Sequence, residues 1–236
     1  MPNVNFPLQA AQKVANIWNS DHASADEGSF FVALNPTSGT GIVTTTSVVD
    51  DAATASATHA QNVPVVYIQN GYGAGDPNGK SIYLKYLRMI VTAAPTSATD
   101  WYMSIRSDVV PRYTSGGSLI VPANINTGSA VASAAIIRFG AVVTTPLPSA
   151  ASRLLARAEV QSSIPVVKDQ WMFTFGDQTM PTNILTATGA KNINVPCGPI
   201  IVGPGCNIAI GMWGTSNAGA PAWEFELGYV ERPSGL

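Results

Sequence analysis

From Gly28 onward the chain is written in short runs of branched and aromatic residues, each closed by Gly, Pro, Asn or Asp. This punctuation constrains the fold more than any other feature, because a run of a few apolar residues between turn formers is long enough for a strand and too short for a helix that must bury a face. The carboxyl end shows the period most clearly. Trp223, Phe225, Leu227 and Tyr229 alternate with Glu224, Glu226 and Gly228. Residues two apart on a strand point the same way, so the four large side chains share one face and the two carboxylates share the other. Trp101, Met103 and Ile105 repeat the pattern against Tyr102, Ser104 and Arg106, and Met172 to Phe175 reads as a strand covered on both sides.

Strands are expected at 29–34, 41–48, 64–70, 81–92, 101–107, 134–143, 153–161, 171–176, 199–202, 207–213 and 222–231. Ser149 could cap a helix through Leu154 and Leu155, but Pro165 stops any helix and the residues before it continue extended, so 153–161 is read as a strand. Asn70-Gly71 and Asn78-Gly79 are turn dipeptides, with a glycine-rich surface loop between them, and 114–117 and 123–130 are expected as further exposed loops. Many short strands without interleaved helices predict an all-β fold, an antiparallel β-sandwich or jelly roll.

Residues 1–27 differ. Leu8, Ala11, Ala15 and Trp18 recur at helical spacing, with Val14 and Ile17 broadening the face and Pro7 where a first turn tolerates it. Such a helix is marginal alone in water and must dock on its own domain or on a neighbour; if on a neighbour, Leu8, Val14, Ile17 and Trp18 are the candidate partner-contact residues. The expected organisation is an N-terminal arm with a short helix at 1–27 and a single jelly-roll β-sandwich domain at 28–236.

Charge is scarce. Only 11% of the 236 residues are charged, against roughly 25% in ordinary soluble domains. A chain surfaced with Thr, Ser, Asn, Gly and Ala loses little desolvation energy when covered, which points to assembly with other subunits, a homo-oligomer such as a dimer or trimer among them. The formal net charge of −2 offers no global attraction to nucleic acid or anionic lipid. No stretch is apolar enough to span a membrane as a helix, and residues 1–10 lack the basic and apolar regions of a secretory signal, so the product is expected to begin in the cytosol.

The residues that could carry chemistry are few. Cys197 and Cys206 are the only cysteines. If 200–202 and 207–210 paired across the turn Gly203-Pro204-Gly205, their sulfurs would stand too far apart to bond, so both are expected as free thiols. His22 and His59 are far apart in sequence and belong to no ligand cluster; Asp50-Asp51 and Asp76 lack the calcium-loop spacing, so no metal or other cofactor is expected. No nucleophile elbow, P-loop or dinucleotide fingerprint occurs. Glu224 and Glu226 form the best enzymatic pair, with Cα atoms about 6.5 to 7 Å apart as in an inverting glycosidase, yet such pairs are ordinarily the wet face of a sheet. Catalysis is therefore not expected. Tyr72 and Trp213 beside glycine-rich loops could stack on a sugar, and Tyr72, Gly116 and Asn217 mark the loops considered for a glycan contact.

The run from Asn194 to Trp213, NVPCGPIIVGPGCNIAIGMW, and the ending from Trp223 to Arg232, WEFELGYVER, resemble jelly-roll virion structural proteins of tailed bacteriophages, of the capsid decoration or cement type. The resemblance extends through 81–92, RYTSGG from Arg112, PANIN from Pro122 and IPVV from Ile164, and so covers most of the chain after about residue 60. These are strand and turn signatures. The resemblance implies a non-enzymatic subunit of the virion, assembled in the host cytoplasm, whose partner is the major capsid protein or another virion protein. A place at the neck or tail, or a host-glycan-binding role, is the alternative it leaves open.

Overall fold

The computed structural model describes residues 20–35, 37, 39–43, 64–96, 101–145, 153–161, 164–176, 192–214 and 222–234. Among these residues one short helix, α1 (Ser20–Asp26), precedes fourteen strands: β1 (Phe30–Leu34), β2 (Ile42–Val43), β3 (Val66–Asn70), β4 (Lys80–Ala93), β5 (Trp101–Asp108), β6 (Tyr113–Ile120), β7 (Ala123–Asn124), β8 (Ala135–Thr144), β9 (Arg153–Gln161), β10 (Gln170–Phe175), β11 (Asn192–Cys197), β12 (Ile201–Val202), β13 (Asn207–Gly214) and β14 (Ala222–Pro233).

Eight of these strands make a jelly roll. In one sheet β1, β14, β4 and β10 lie side by side, and in the other β3, β13, β5 and β9, with every one of these neighbours antiparallel. Followed along the chain, β1, β3, β4 and β5 alternate between sheets, β9 returns beside β5, and β10, β13 and β14 alternate again, which is the double Greek key of a jelly roll. The excursion between β5 and β9 widens the second sheet: β8 pairs with β3, β6 lies outside β8, and β7 crosses to pair with β1 in the first sheet. On the first sheet β11 lies outside β10, β12 pairs with β4 and β2 with β14.

The inward rows of the two sheets fill the space between them. Trp223, Phe225, Leu227 and Tyr229 are all buried, as their alternation predicts. Trp171 and Trp223 meet with ring centroids 4.6 Å apart, and Phe139 and Phe225 at 5.1 Å, tilted in the way that ring quadrupoles favour. Met103 and Ile105 face the same core from β5.

Several expectations are corrected. The segment 114–117 is not a loop but the middle of β6, and β11 was not anticipated. In β6 all but two residues are exposed, and Gly116 and Gly117 take positive φ at 75° and 66°, so apolar alternation is missing although the backbone still pairs with β8 through two bulges. The expected loop at 123–130 begins with the two residues of β7. The hairpin across Gly203 to Gly205 does not form: Val202 pairs with Ile82 in the first sheet, whereas Ile208 pairs with Ile68 and Ser107 in the second. Both Val202 and Ile208 are buried, and facing one core from opposite sheets is what lets both be covered. The all-antiparallel expectation also has one exception, since β10 and β11 are parallel. Residues 153–161 are strand, as read, and both cysteines are free.

The helical recurrence from Leu8 to Trp18 lies outside the described residues, as does 44–48 of the second expected strand. Within residues 20–27, α1 has no apolar stripe to betray it. It is held instead by Gly28 at φ 69°, whose N–H donates to the Ala25 carbonyl at 2.9 Å, and by Ser29, whose hydroxyl donates to the Ser24 carbonyl at 3.0 Å.

Candidate functional site

The outward row of β14 faces away from the core, and β4 runs beside it. Glu226 stands opposite Arg88, and Gly228 opposite Tyr86. The absence of a side chain at Gly228 leaves room for the Tyr86 ring, which lies where a β-carbon would be, 2.2 Å from Cε1. From there the Tyr86 hydroxyl donates to Glu226 Oε1 at 2.7 Å, while Arg88 Nη2 binds Oε2. Burial, reinforced by the Glu226 carboxylate, raises the Tyr86 pKa well above 10.0, so the phenol remains a neutral donor. Glu224 Oε1 accepts from the backbone N–H of Gly39. Leu34, Asn35, Arg88, Ile90, Glu224, Phe225 and Glu226 line a shallow cleft of about 210 Å³.

This arrangement brings the two carboxylates onto one face, as their spacing requires, and gives each a structural partner. Glu226 is neutralised by a guanidinium and a phenol, and Glu224 is tied to a loop amide. Both carboxylates are engaged as acceptors on the polar face of the sheet. Among the described residues no group of three His, Cys, Asp or Glu side chains could hold a metal ion.

A larger groove of about 530 Å³ runs beside α1 on the same sheet. Lys85 pairs with Asp21 at 2.7 Å and Arg232 donates to the Ser24 hydroxyl at 2.9 Å, fixing the helix over the sheet. Tyr83, Phe175 and Ile201 supply the apolar wall.

The loop residues singled out from the sequence do not converge. Tyr72 follows the Asn70 end of β3, where its N–H donates to Asn70 Oδ1 at 3.1 Å and its carbonyl accepts from Gly205 at 2.7 Å. Asn70 stands opposite Ala135, whereas Gly116 stands opposite Val142. Seven residues of β8 separate those positions, roughly 23 Å, so Tyr72 and Gly116 occupy opposite ends of the sheet. Trp213 closes β13 opposite Tyr102. Asn217 lies outside the described residues, together with Leu8, Val14, Ile17 and Trp18.

Sequence reasoning missed a separate feature, a set of large apolar side chains left in solvent around β6 and the loops of the second sheet. Val121 is 85% exposed, Val109 59% and Leu119 55%, and on the first sheet Ile201 is 53% exposed. The only signal was the low charge of the chain, which says that faces can be covered without saying where. No helix among the described residues is long and apolar enough to cross a membrane.

The chain matches no protein-family model and no curated protein. Among solved structures it is similar to VP1 of Trichodysplasia spinulosa-associated polyomavirus in complex with GM1 oligosaccharide, at 12% identity over 86% of this chain and 94% of that one, with a TM-score of 0.24. It is also similar to an unassembled VP1 pentamer of KI polyomavirus, at 14% identity over 88% and 93% of the two chains, with a TM-score of 0.23. Scores at this level add nothing to the strand order, which by itself makes the domain a jelly roll.

Proposed function

We propose that this chain is a non-enzymatic structural subunit of a tailed-bacteriophage virion, a decoration or cement protein bound to the lattice of the major capsid protein. The observation that carries the reading is a jelly roll with a complete core of its own that still leaves Val109, Leu119, Val121 and Ile201 more than half exposed. Exposed apolar side chains of this size support contact with other subunits where they lie side by side, as Leu119 and Val121 do at the end of β6. The resemblance of the strand and turn signatures to those of phage virion proteins supports that kind of particle, and the engagement of Glu224 and Glu226 by structural partners supports a role without catalysis. Purified particles should contain the protein at a copy number that follows the icosahedral lattice. Copies confined to one vertex would move it to the neck or tail, and absence from particles would end the proposal. Deleting residues 1–27 should weaken attachment.

A second reading, a host-glycan-binding module, is favoured by the groove beside α1, where Tyr83 offers a ring and Lys85, Asp21 and Arg232 offer polar groups to a hydroxyl-rich ligand. Glycan binding abolished by Tyr83→Ala would support it. No binding on a glycan array at millimolar ligand would remove it.

A further inference from the structure

We propose that two copies of this chain associate across a two-fold axis through the β6 edge of the six-stranded sheet, with Leu119 and Val121 as the apolar contact beside it. The inference goes beyond the function proposed above, gives a surface to the homo-oligomer expected from the low charge of the chain, and does not require the virion role.

Among the described residues β6 hydrogen-bonds to β8 alone, so its other edge presents unpaired backbone donors and acceptors. Sheet edges are ordinarily protected by charge, by proline, by bulges or by brevity, and the other edges among the described residues are charged, carry proline or are short. The edge strand β9 carries Arg153 and Arg157, β11 carries Pro196, which has no N–H, and β7 is two residues long. Only β6, with the sequence YTSGGSLI, runs eight residues with neither a charged residue nor a proline. Its bulges fall at or before Gly117, so Ser118 to Ile120 is left as a regular stretch.

The surface beside that stretch has the composition of a protein contact. Leu119 lies opposite Arg138, which stands over the Tyr113 ring at 4.1 Å from its centroid. Val121 follows β6 at 85% exposure, and Ile136, next to Arg138's neighbour Ile137 on β8, is 36% exposed. An aromatic and an arginine held against it are residue types in which the energetic centres of interfaces are enriched, and the aliphatics beside them add apolar area to bury.

The absence of charge along β6 selects the partner. A two-fold axis brings each residue of an edge against the same strand of the other copy, so a charged strand would repel itself, and this one would not. Antiparallel pairing across the axis satisfies both rows of backbone groups at once. A charged partner, by contrast, would find no complementary group on the strand itself.

The test uses the full chain in sedimentation velocity over a series from micromolar to several hundred micromolar, together with hydrogen exchange of the β6 amides at the two ends of the series. A dimer is expected, with protection at 118–120 that grows with concentration. Val121→Lys and Leu119→Lys should each weaken the dimer by about 30-fold, with thermal unfolding unchanged at concentrations low enough for the chain to be monomeric, where both side chains stand in solvent. Ile201→Lys, on the opposite sheet, should leave the dimer intact. If a lysine variant fails to fold, Val121→Ser serves in its place. A monomer throughout, a trimer, or a dimer indifferent to both substitutions would overturn the proposal. Because the measurement is made on the isolated chain, failure to find the protein in particles would leave this result standing, and the converse holds as well.

Discussion

The Tyr86 hydroxyl reaches Glu226 Oε1 at 2.7 Å only because its ring lies flat against Gly228, one strand away. A glycine in a strand interior costs backbone entropy, and here the ring that covers it makes up the lost packing and orients a hydrogen bond. Arg88 completes the set on the other carboxylate oxygen. The wet face of β14 is thus a fixed polar ladder and not a pair of free acids.

Gly228→Ala should destabilise the fold by about 1–3 kcal/mol, since the new methyl would need space that the Tyr86 ring occupies and a packed site yields poorly. In a Tyr86→Ala background the same substitution should cost less than about 1 kcal/mol, because the obstructing ring is gone. Denaturant unfolding of the four proteins measures both. Equal costs in the two backgrounds would show that the ring is not the obstacle.

Glu231 is 3% exposed, and its Oε1 accepts from the Ser133 hydroxyl at 2.5 Å and from the amides of Ala134 and Ala135 at 3.0 and 3.3 Å. One buried carboxylate therefore ties the end of the 121–134 loop to the last strand. Glu231→Ala leaves those donors without an acceptor and should cost about 3 kcal/mol. Hydrogen exchange at Ala134 and Ala135 should quicken well before the rest of β8. Unaltered exchange there would mean that water or a neighbour replaces the carboxylate without loss.

Alkaline pH should unfold this protein through its tyrosines. Burial raises the pKa of Tyr86 and Tyr229 above the reference value of 10.0, with the Glu226 and Glu231 carboxylates respectively adding to the rise, although the Ser133 hydroxyl opposes it at Tyr229. Each folded phenol holds its proton more tightly than the unfolded one. Their contribution is therefore complete below pH 10 and is lost as pH climbs beyond it, the unfolded chain releasing protons that the folded chain keeps. Urea midpoints should hold up to about pH 10 and fall as pH climbs above it, and Tyr229→Phe should flatten that fall. A midpoint constant over the range would contradict the assignment.

Cys197 and Cys206 should react slowly with iodoacetamide near neutral pH. Burial raises both thiols above their ordinary value, and the Asp108 carboxylate adds to the effect at Cys206, which leaves little thiolate to attack. Rates well below that of free cysteine, rising with pH, are expected. Stability unchanged by reductant would agree with the absence of a disulfide between them.

Period-two alternation is a local property, since it depends only on successive residues pointing to opposite sides of a strand. The linear chain therefore already determines that 222–231 is a strand with Trp223, Phe225, Leu227 and Tyr229 buried, that 153–161 is extended, and that the fold is an all-β sandwich. It determines equally that Glu224 and Glu226 share a face. Strand partners are another matter, because pairing joins residues far apart in the chain and is decided by which apolar faces can be buried together. The turn at Gly203 to Gly205 has the chemistry of a hairpin and serves instead as a crossing between sheets, because Val202 and Ile208 both reach the core only from opposite sides of it. Strand β6 is invisible to any search for apolar alternation, since it owes its existence to backbone pairing with β8 and keeps all but two of its residues exposed. The scatter of Tyr72 and Gly116 to opposite ends of the sheet, and the gathering of Tyr86, Arg88, Glu226 and Gly228 into one polar ladder, follow from register, which only the folded pair of sheets sets.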